Sequence, residues 1–199
     1  AGLRISELRP NDPEKNAYPV IHISLKELKS ATYESFLDVL RQKISIVYKN
    51  FPELGSSSKQ DPDDARQFLR VKSGEASETE LRFSLFDLTR MLEVEYGKRV
   101  ILLIDEYDNI VNEAATLDAR RSILEFYYIF LSEALKSNRS LEFAVLTGVM
   151  QIIMSSIFSG LNNICPYSIF DKRFQEHWGF SEDEVKKLCA DFGHPEKSD

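Results

Sequence analysis

Asp105 and Glu106 stand side by side directly after Val100-Ile101-Leu102-Leu103-Ile104, and Thr147 closes a second apolar stretch that begins at Leu141. An apolar run without polar alternation predicts a strand covered on both faces, the pattern of a parallel sheet flanked by helices. Ligands of such open sheets bind beyond the carboxyl ends of the strands, which is where these three side chains fall. Two adjacent carboxylates beside a low-dielectric layer are costly unless a cation or hydrogen-bond donors meet them. The chemistry that calls for such a pair is phosphoryl transfer to water. Asp105 would hold a hydrated Mg2+, and Glu106 would orient or deprotonate the attacking water. A hydroxyl at Thr147, on the tip of the next strand, is placed to sense the terminal phosphate. A plainer reading fits the same residues: a strand that ends in polar residues at the surface, beside a threonine whose hydroxyl is locally satisfied.

The elements that must hold these residues are readable from periodicity. Tyr18 to Ser24 is short and rich in β-branched residues, a strand. Tyr33, Phe36, Leu37, Leu40, Ile44, Val47 and Tyr48 recur at helical spacing, and Phe51-Pro52 ends that helix. Residues 53–76, with three consecutive serines, Pro62 and the acids Asp61, Asp63 and Asp64, read as a surface excursion with at most a short helix near Arg66 to Val71. Its acidic cluster could hold a cation but is explained by a solvated loop. Ser77-x-x-Glu80 is a capping box for a helix carrying Leu81, Leu85, Leu88 and Leu92, with Gly97 as its stop. Ile123 to Leu135 gives the next helix. Residues 149–163 are expected to form a helix and turn, Tyr167 to Phe170 a last short strand, and Ser181-x-x-Glu184 a helix with Val185, Leu188, Cys189 and Phe192 on its apolar face. The alternation of strands and helices predicts a three-layer α/β domain.

Composition narrows the function. With 25 Lys and Arg against 32 Asp and Glu the formal charge is −7, which argues against a broad basic face for duplex nucleic acid. Hydrophobic residues at 43% and charged residues at 29% are globular values, so disorder of the whole chain is excluded. The two cysteines, Cys165 and Cys189, make no disulfide framework and fit a reducing, cytoplasmic setting. No apolar run approaches the roughly 18 residues of a membrane span, and the first residues lack the apolar core of a signal peptide.

A strand ending in Asp-Glu is the Walker B arrangement of a P-loop NTPase. The other half of that machinery, GxxxxGK[ST], offers backbone N–H groups and a Lys to the phosphates. It does not occur in this sequence: of 8 glycines only Gly97 precedes a lysine, and Lys98 is followed by Arg99. Even so, Val100 to Asn109 (VILLIDEYDN), Ala144 to Val149 (AVLTGV) and Ser156 to Asn163 (SIFSGLNN) resemble the AAA-ATPase-like family, predicted P-loop ATPases often found in front of a PD-(D/E)XK nuclease-like domain. Tyr18 to Ser24 is similar to that family's strand after the P-loop helix, and Phe174 to Val185 to its stretch ending in GF[ST]xxEV.

The resemblance implies an α/β, three-layer P-loop NTPase-like parallel sheet flanked by helices, with the central phosphate-loop strand missing from this chain and expected upstream of Ala1. It implies an incomplete core over 1–180 and the start of a following helical segment over 181–199. Asp105 becomes the Mg2+-linked acid, through water, Glu106 the catalytic carboxylate and Thr147 the sensor. Mg2+ and ATP are then cofactors of the complete protein, and neither is expected to bind this chain tightly on its own. A nuclease-like domain in the same polypeptide and further copies of the chain are the candidate partners, with no membrane and no strong nucleic-acid signal. A gap is expected in the sheet beside Leu141 to Thr147, leaving an edge prone to aggregation. Where the family usually carries Ser-Arg, this chain has Met150 and Gln151. That departure and the absent phosphate loop motivate the alternative, a degenerate, nucleotide-independent interaction module.

Other constellations carry less. Pro62-Asp63 with Glu184-Val185-Lys186 spells a nuclease signature, but the latter pair falls in a capped helix instead of a strand. His22, His177 and His194 share no metal-ligand spacing. Asn138-Arg139-Ser140 matches a glycosylation acceptor without a secretory signal. Arg120-Arg121 and Lys186-Lys187 read as solvated helix faces, and the aromatic cluster Phe126, Tyr127, Tyr128 and Phe130 as core packing. Phe174, Trp178 and Phe180 are a candidate patch for a partner domain.

Overall fold

The structure, a computed structural model, describes residues 9–28, 30–112, 116–149, 164–168, 171 and 179–193. Strands β1 (Val20–Ser24), β2 (Val100–Asp105) and β3 (Leu141–Leu146) form a parallel sheet in the order β1-β2-β3. Helix α1 (Tyr33–Lys49), a 3-10 turn (Pro52–Gly55), α2 (Pro62–Ser73) and α3 (Glu78–Tyr96) connect β1 to β2, and α4 (Leu117–Leu135) connects β2 to β3. This is an α/β fold with a parallel sheet and flanking helices, as a P-loop-like domain requires. The chain divides into two compact units, 1–162 and 163–199. The first carries the sheet. In the second, α5 (Glu182–Asp191) opens on the expected Ser181–Glu184 capping box and leaves Leu188 and Phe192 exposed. Of the expected strand at Tyr167 to Phe170, Tyr167 and Ser168 lie in no strand and the other two residues fall outside the described set, as does the expected helix over 150–163.

Strand order decides which face is covered. Both crossovers step in the same direction, and parallel crossovers are right-handed in almost all proteins, so α1, α3 and α4 fall on one face. That face buries Ile21 and Ile23 of β1 with Val100, Leu102 and Ile104 of β2. The alternate residues form two registered rows, Val20–Ile101–Phe143 and His22–Leu103–Val145. Among the described residues these rows have no such cover: Val20, Phe143 and Val145 are 43%, 50% and 45% exposed. The apolar run of β2 thus predicts two-sided cover, whereas the alternation of burial along β2 reveals one covered face. β3 is an edge of the described sheet and carries both exposed side chains. Phe143→Lys is expected to raise the concentration at which the protein stays monodisperse in light scattering while moving Tm little, since edge charges block strand pairing and no buried contact is lost.

Residues 53–76 differ from expectation. Instead of a loop with a short helix, they hold the 12-residue α2. Asp61 caps it, its Oδ1 accepting the Asp63 N–H at 2.8 Å. Pro62 occupies the first turn, where the missing N–H costs nothing, and Gly74 ends the helix at φ +85°. The acidic cluster is therefore the favourable charge of a helix N-terminus. Asp64 also takes both terminal nitrogens of Arg90 at 2.6 Å, and Arg90 holds its carboxyl below the usual range. Phe68 is buried against Tyr48 of α1, with ring centroids 5.0 Å apart.

The turn into β3 answers the glycosylation motif. Asn138 is buried, its Nδ2 donating at 2.9 Å to both Thr89 Oγ1 and the Ala134 carbonyl, while Oδ1 accepts the Ser140 N–H at 3.1 Å. Attaching a glycan there would break this network, so Asn138 serves the fold. Arg120, Arg121, Lys186 and Lys187 are exposed, as solvated helix faces should be.

Candidate functional site

The carboxyl ends of the strands gather Ser24, Asp105 and Thr147. Ser24 is level with Asp105 across the β1–β2 ladder, and the Leu25 N–H donates to the Asp105 carbonyl at 2.8 Å. The Thr147 hydroxyl donates to Asp105 Oδ1 in a short hydrogen bond. The first two predicted site residues therefore touch, through a bond that fixes the orientation of the Asp105 carboxylate. Thr147 is itself held by its N–H on the Ile104 carbonyl at 2.9 Å. Here the threonine's plainer reading and the functional one meet, since its hydroxyl is locally satisfied by the very acid it accompanies.

Glu106 lies half-buried at the turn out of β2, with φ +52°. Left-handed backbone is uncommon for a residue with a Cβ and costs on the order of 1 kcal/mol. The turn it makes is short and tightly bonded. The Asn109 N–H donates to the Glu106 carbonyl at 3.1 Å, and Asn109 Nδ2 donates to Glu106 Oε2 at 3.2 Å. Asn109 thus holds both the backbone and the carboxylate of Glu106.

Between them, Tyr107 and Asp108 bind the turn to the rest of the molecule. The Tyr107 N–H donates to the Thr147 carbonyl at 3.0 Å, and the Tyr107 carbonyl accepts the hydroxyl of Tyr127 from α4 at 2.6 Å. Burial, reinforced by Tyr107 and Asp108, pushes the Tyr127 phenol well above its ordinary pKa, so it remains a donor at any working pH. Asp108 is 5% exposed and accepts the Val149 N–H on Oδ2 at 2.9 Å. Sequence reasoning missed Asp108, Asn109, Tyr127 and Gly148 as parts of this site. Their signal lay inside DEYDN and LTGV, but only folding shows which backbone group each one meets.

Mg2+ suits this arrangement. Among the described residues no group of three or more His, Cys, Asp and Glu side chains forms a metal cage. A nucleotide-bound Mg2+ needs none, because phosphate oxygens and waters fill most of its coordination sphere and one or two carboxylates suffice. Asp105, half-buried at a strand end and oriented by Thr147, is the acid that fits. The candidate metal residues elsewhere do not gather: His22 is exposed on the sheet, while His177 and His194 lie outside the described residues. Met150, Gln151, Ser156 to Asn163, Phe174 and Trp178 also lie outside them. Phe180 is 73% exposed. Among the described residues no helix is long and apolar enough to cross a membrane.

A family model described as Predicted AAA-ATPase matches residues 1–158. An uncharacterized protein in the vnfD 5' region of Azotobacter chroococcum mcd 1 is 31% identical over 115 residues, which cover 57% of this chain and 22% of the relative. The chain therefore spans about a fifth of that relative's length. No solved structure matches it.

Proposed function

This chain belongs to the AAA-ATPase-like family, and from that premise we propose that it forms the Walker B and sensor portion of a protein that binds and hydrolyses ATP when joined to a phosphate loop. The observation that carries the reading is the contact between Thr147 and Asp105, with Glu106 next in the chain on a conformationally costly turn. Bound Mg2+ would neutralise phosphate charge as the bond to the leaving oxygen breaks. Asp105 holds a water of that ion. Thr147 keeps the Asp105 carboxylate turned toward the strand ends and offers its hydroxyl oxygen to the terminal phosphate's surroundings. Glu106 accepts a proton from, or orients, the attacking water, and Asn109 keeps its carboxylate in one rotamer until it acts.

The test compares Asp105→Asn, Thr147→Val and Thr147→Ser in the complete protein. Asp105→Asn is expected to weaken Mg2+-dependent nucleotide binding, measured with and without EDTA. Thr147→Val is expected to lower turnover by about 10-fold or more through misplacement of the acid, and Thr147→Ser to restore most of it. Equal turnover in all three variants sinks the assignment. A nuclease-like domain in the same polypeptide, and self-assembly, belong to this proposal as well. The second reading, an interaction module without nucleotide, draws on the exposed rows at Val20, Phe143 and Val145. It predicts that a complete protein with an intact phosphate loop shows no nucleotide binding at all.

A further inference from the structure

The turn Glu106-Tyr107-Asp108-Asn109 sends one bond in each direction, and the one made by Asp108 reaches across to the segment that follows β3. Its Oδ2 accepts the Val149 N–H at 2.9 Å while the Tyr107 N–H holds the Thr147 carbonyl at 3.0 Å. Thr147 is thus clasped on one side by β2 and on the other by this turn. Gly148 lies between the two clasps. A Cβ built there would stand 2.6 Å from Asp108 Oδ1 and 2.6 Å from Tyr107 Cε1, well inside any real contact. Gly148 is therefore the residue that lets the Asp108 carboxylate lie flat against the Thr147–Val149 backbone. Asp108 is buried at 5% exposure, which marks it as a group aimed inward instead of at solvent. A buried carboxylate is costly unless it accepts such bonds.

We propose that Asp108 is a positioning residue for hydrolysis: bonded to the Val149 amide across Gly148, it locks the sensor Thr147 to the turn that carries Glu106. It touches neither nucleotide nor water. Movement of the strand ends relative to one another is what it prevents, and a displacement of about 1 Å at reacting groups costs on the order of 100-fold in rate. The inference rests on the ATPase reading, but the lock itself is a backbone contact that can be measured without any nucleotide.

The experiment uses the complete protein with Asp108→Ala, Asp108→Asn and Gly148→Ala, read by turnover, nucleotide affinity and amide hydrogen exchange at Val149. Asp108→Ala is expected to lower kcat by roughly 10- to 100-fold, to leave nucleotide affinity within about twofold and to speed exchange at Val149 by about tenfold or more, as loss of a buried acceptor opens that segment locally. Asp108→Asn, which keeps a carbonyl oxygen for the amide, is expected to retain Val149 protection and most of the turnover. Gly148→Ala should reproduce Asp108→Ala by pushing the carboxylate away, and it serves in its place if Asp108→Ala does not fold. Unchanged Val149 exchange in both Asp108→Ala and Gly148→Ala overturns the lock. Unchanged kcat with faster exchange, or affinity falling in step with kcat, overturns the positioning role. Absence of turnover in the unmodified complete protein instead removes the ATPase reading, and the exchange arm still decides the lock.

Discussion

Glu106→Gln in the complete protein is expected to keep nucleotide bound and to lose turnover by about 100- to 10,000-fold, the range for removal of a positioned general base. The amide retains the shape and one oxygen for Asn109 Nδ2, now 3.2 Å from Oε2, so the turn should survive. Charge on the water-facing oxygen does not. The backbone supplies a second and opposite readout. Glu106 holds φ +52°, a conformation that glycine adopts without penalty. Glu106→Gly should therefore cost turnover as Gln does while leaving Tm unchanged or higher, because relief of about 1 kcal/mol of strain offsets the glycine's greater entropy when unfolded. A residue kept at that position for folding alone would behave otherwise, with Gly and Gln both leaving turnover intact. Stability gained where function is lost is the pattern expected when strain is held at a working residue.

How far the site was legible follows from what each residue contacts. Asp105, Glu106 and Thr147 could be named from sequence because their signal is local: a buried strand and what stands at its end. The capping boxes at Ser77–Glu80 and Ser181–Glu184 were legible for the same reason, and both close reciprocally. Helix α2 was not, because Pro62 and three nearby acids look like loop until one sees that proline and acids are favoured in a first turn. The uncovered rows of the sheet were not legible either. A run such as Val100 to Ile104 records that a strand is apolar on both sides, whereas cover depends on the direction of each crossover, which is a property of strand order. Asp108 and Gly148 are 40 residues apart in the chain, and neither has meaning without the other. Pairings of that kind are set by tertiary geometry, and one sequence does not encode their partner in any local pattern.

Phe126→Ala is expected to be the most destabilising single truncation discussed, at about 3–5 kcal/mol, against typical totals of about 5–15 kcal/mol for a domain. The ring is 1% exposed. It meets Phe36 edge-on at 5.5 Å, Tyr33 at 6.3 Å and Phe130 at 6.3 Å, and the Arg82 guanidinium lies 5.4 Å over its face. Truncation removes the transfer energy of the ring and leaves a cavity that three aromatic neighbours are too rigid to fill. Tyr128, two residues on and 38% exposed, supplies the control: Tyr128→Ala should change stability by less than about 0.5 kcal/mol, as exposed positions generally do. Denaturant melts of both variants separate the two uses an aromatic cluster can have. Base-stacking rings would be dispensable for folding, so equal and small effects at Phe126 and Tyr128 would contradict the core assignment. The effect also reaches the site, because the next residue, Tyr127, donates its hydroxyl to the Tyr107 carbonyl. Slackening α4 at Phe126 should therefore loosen the Glu106 turn before the chain unfolds, and amide exchange at Tyr107 and Asn109 should rise further in Phe126→Ala than at the centre of β2.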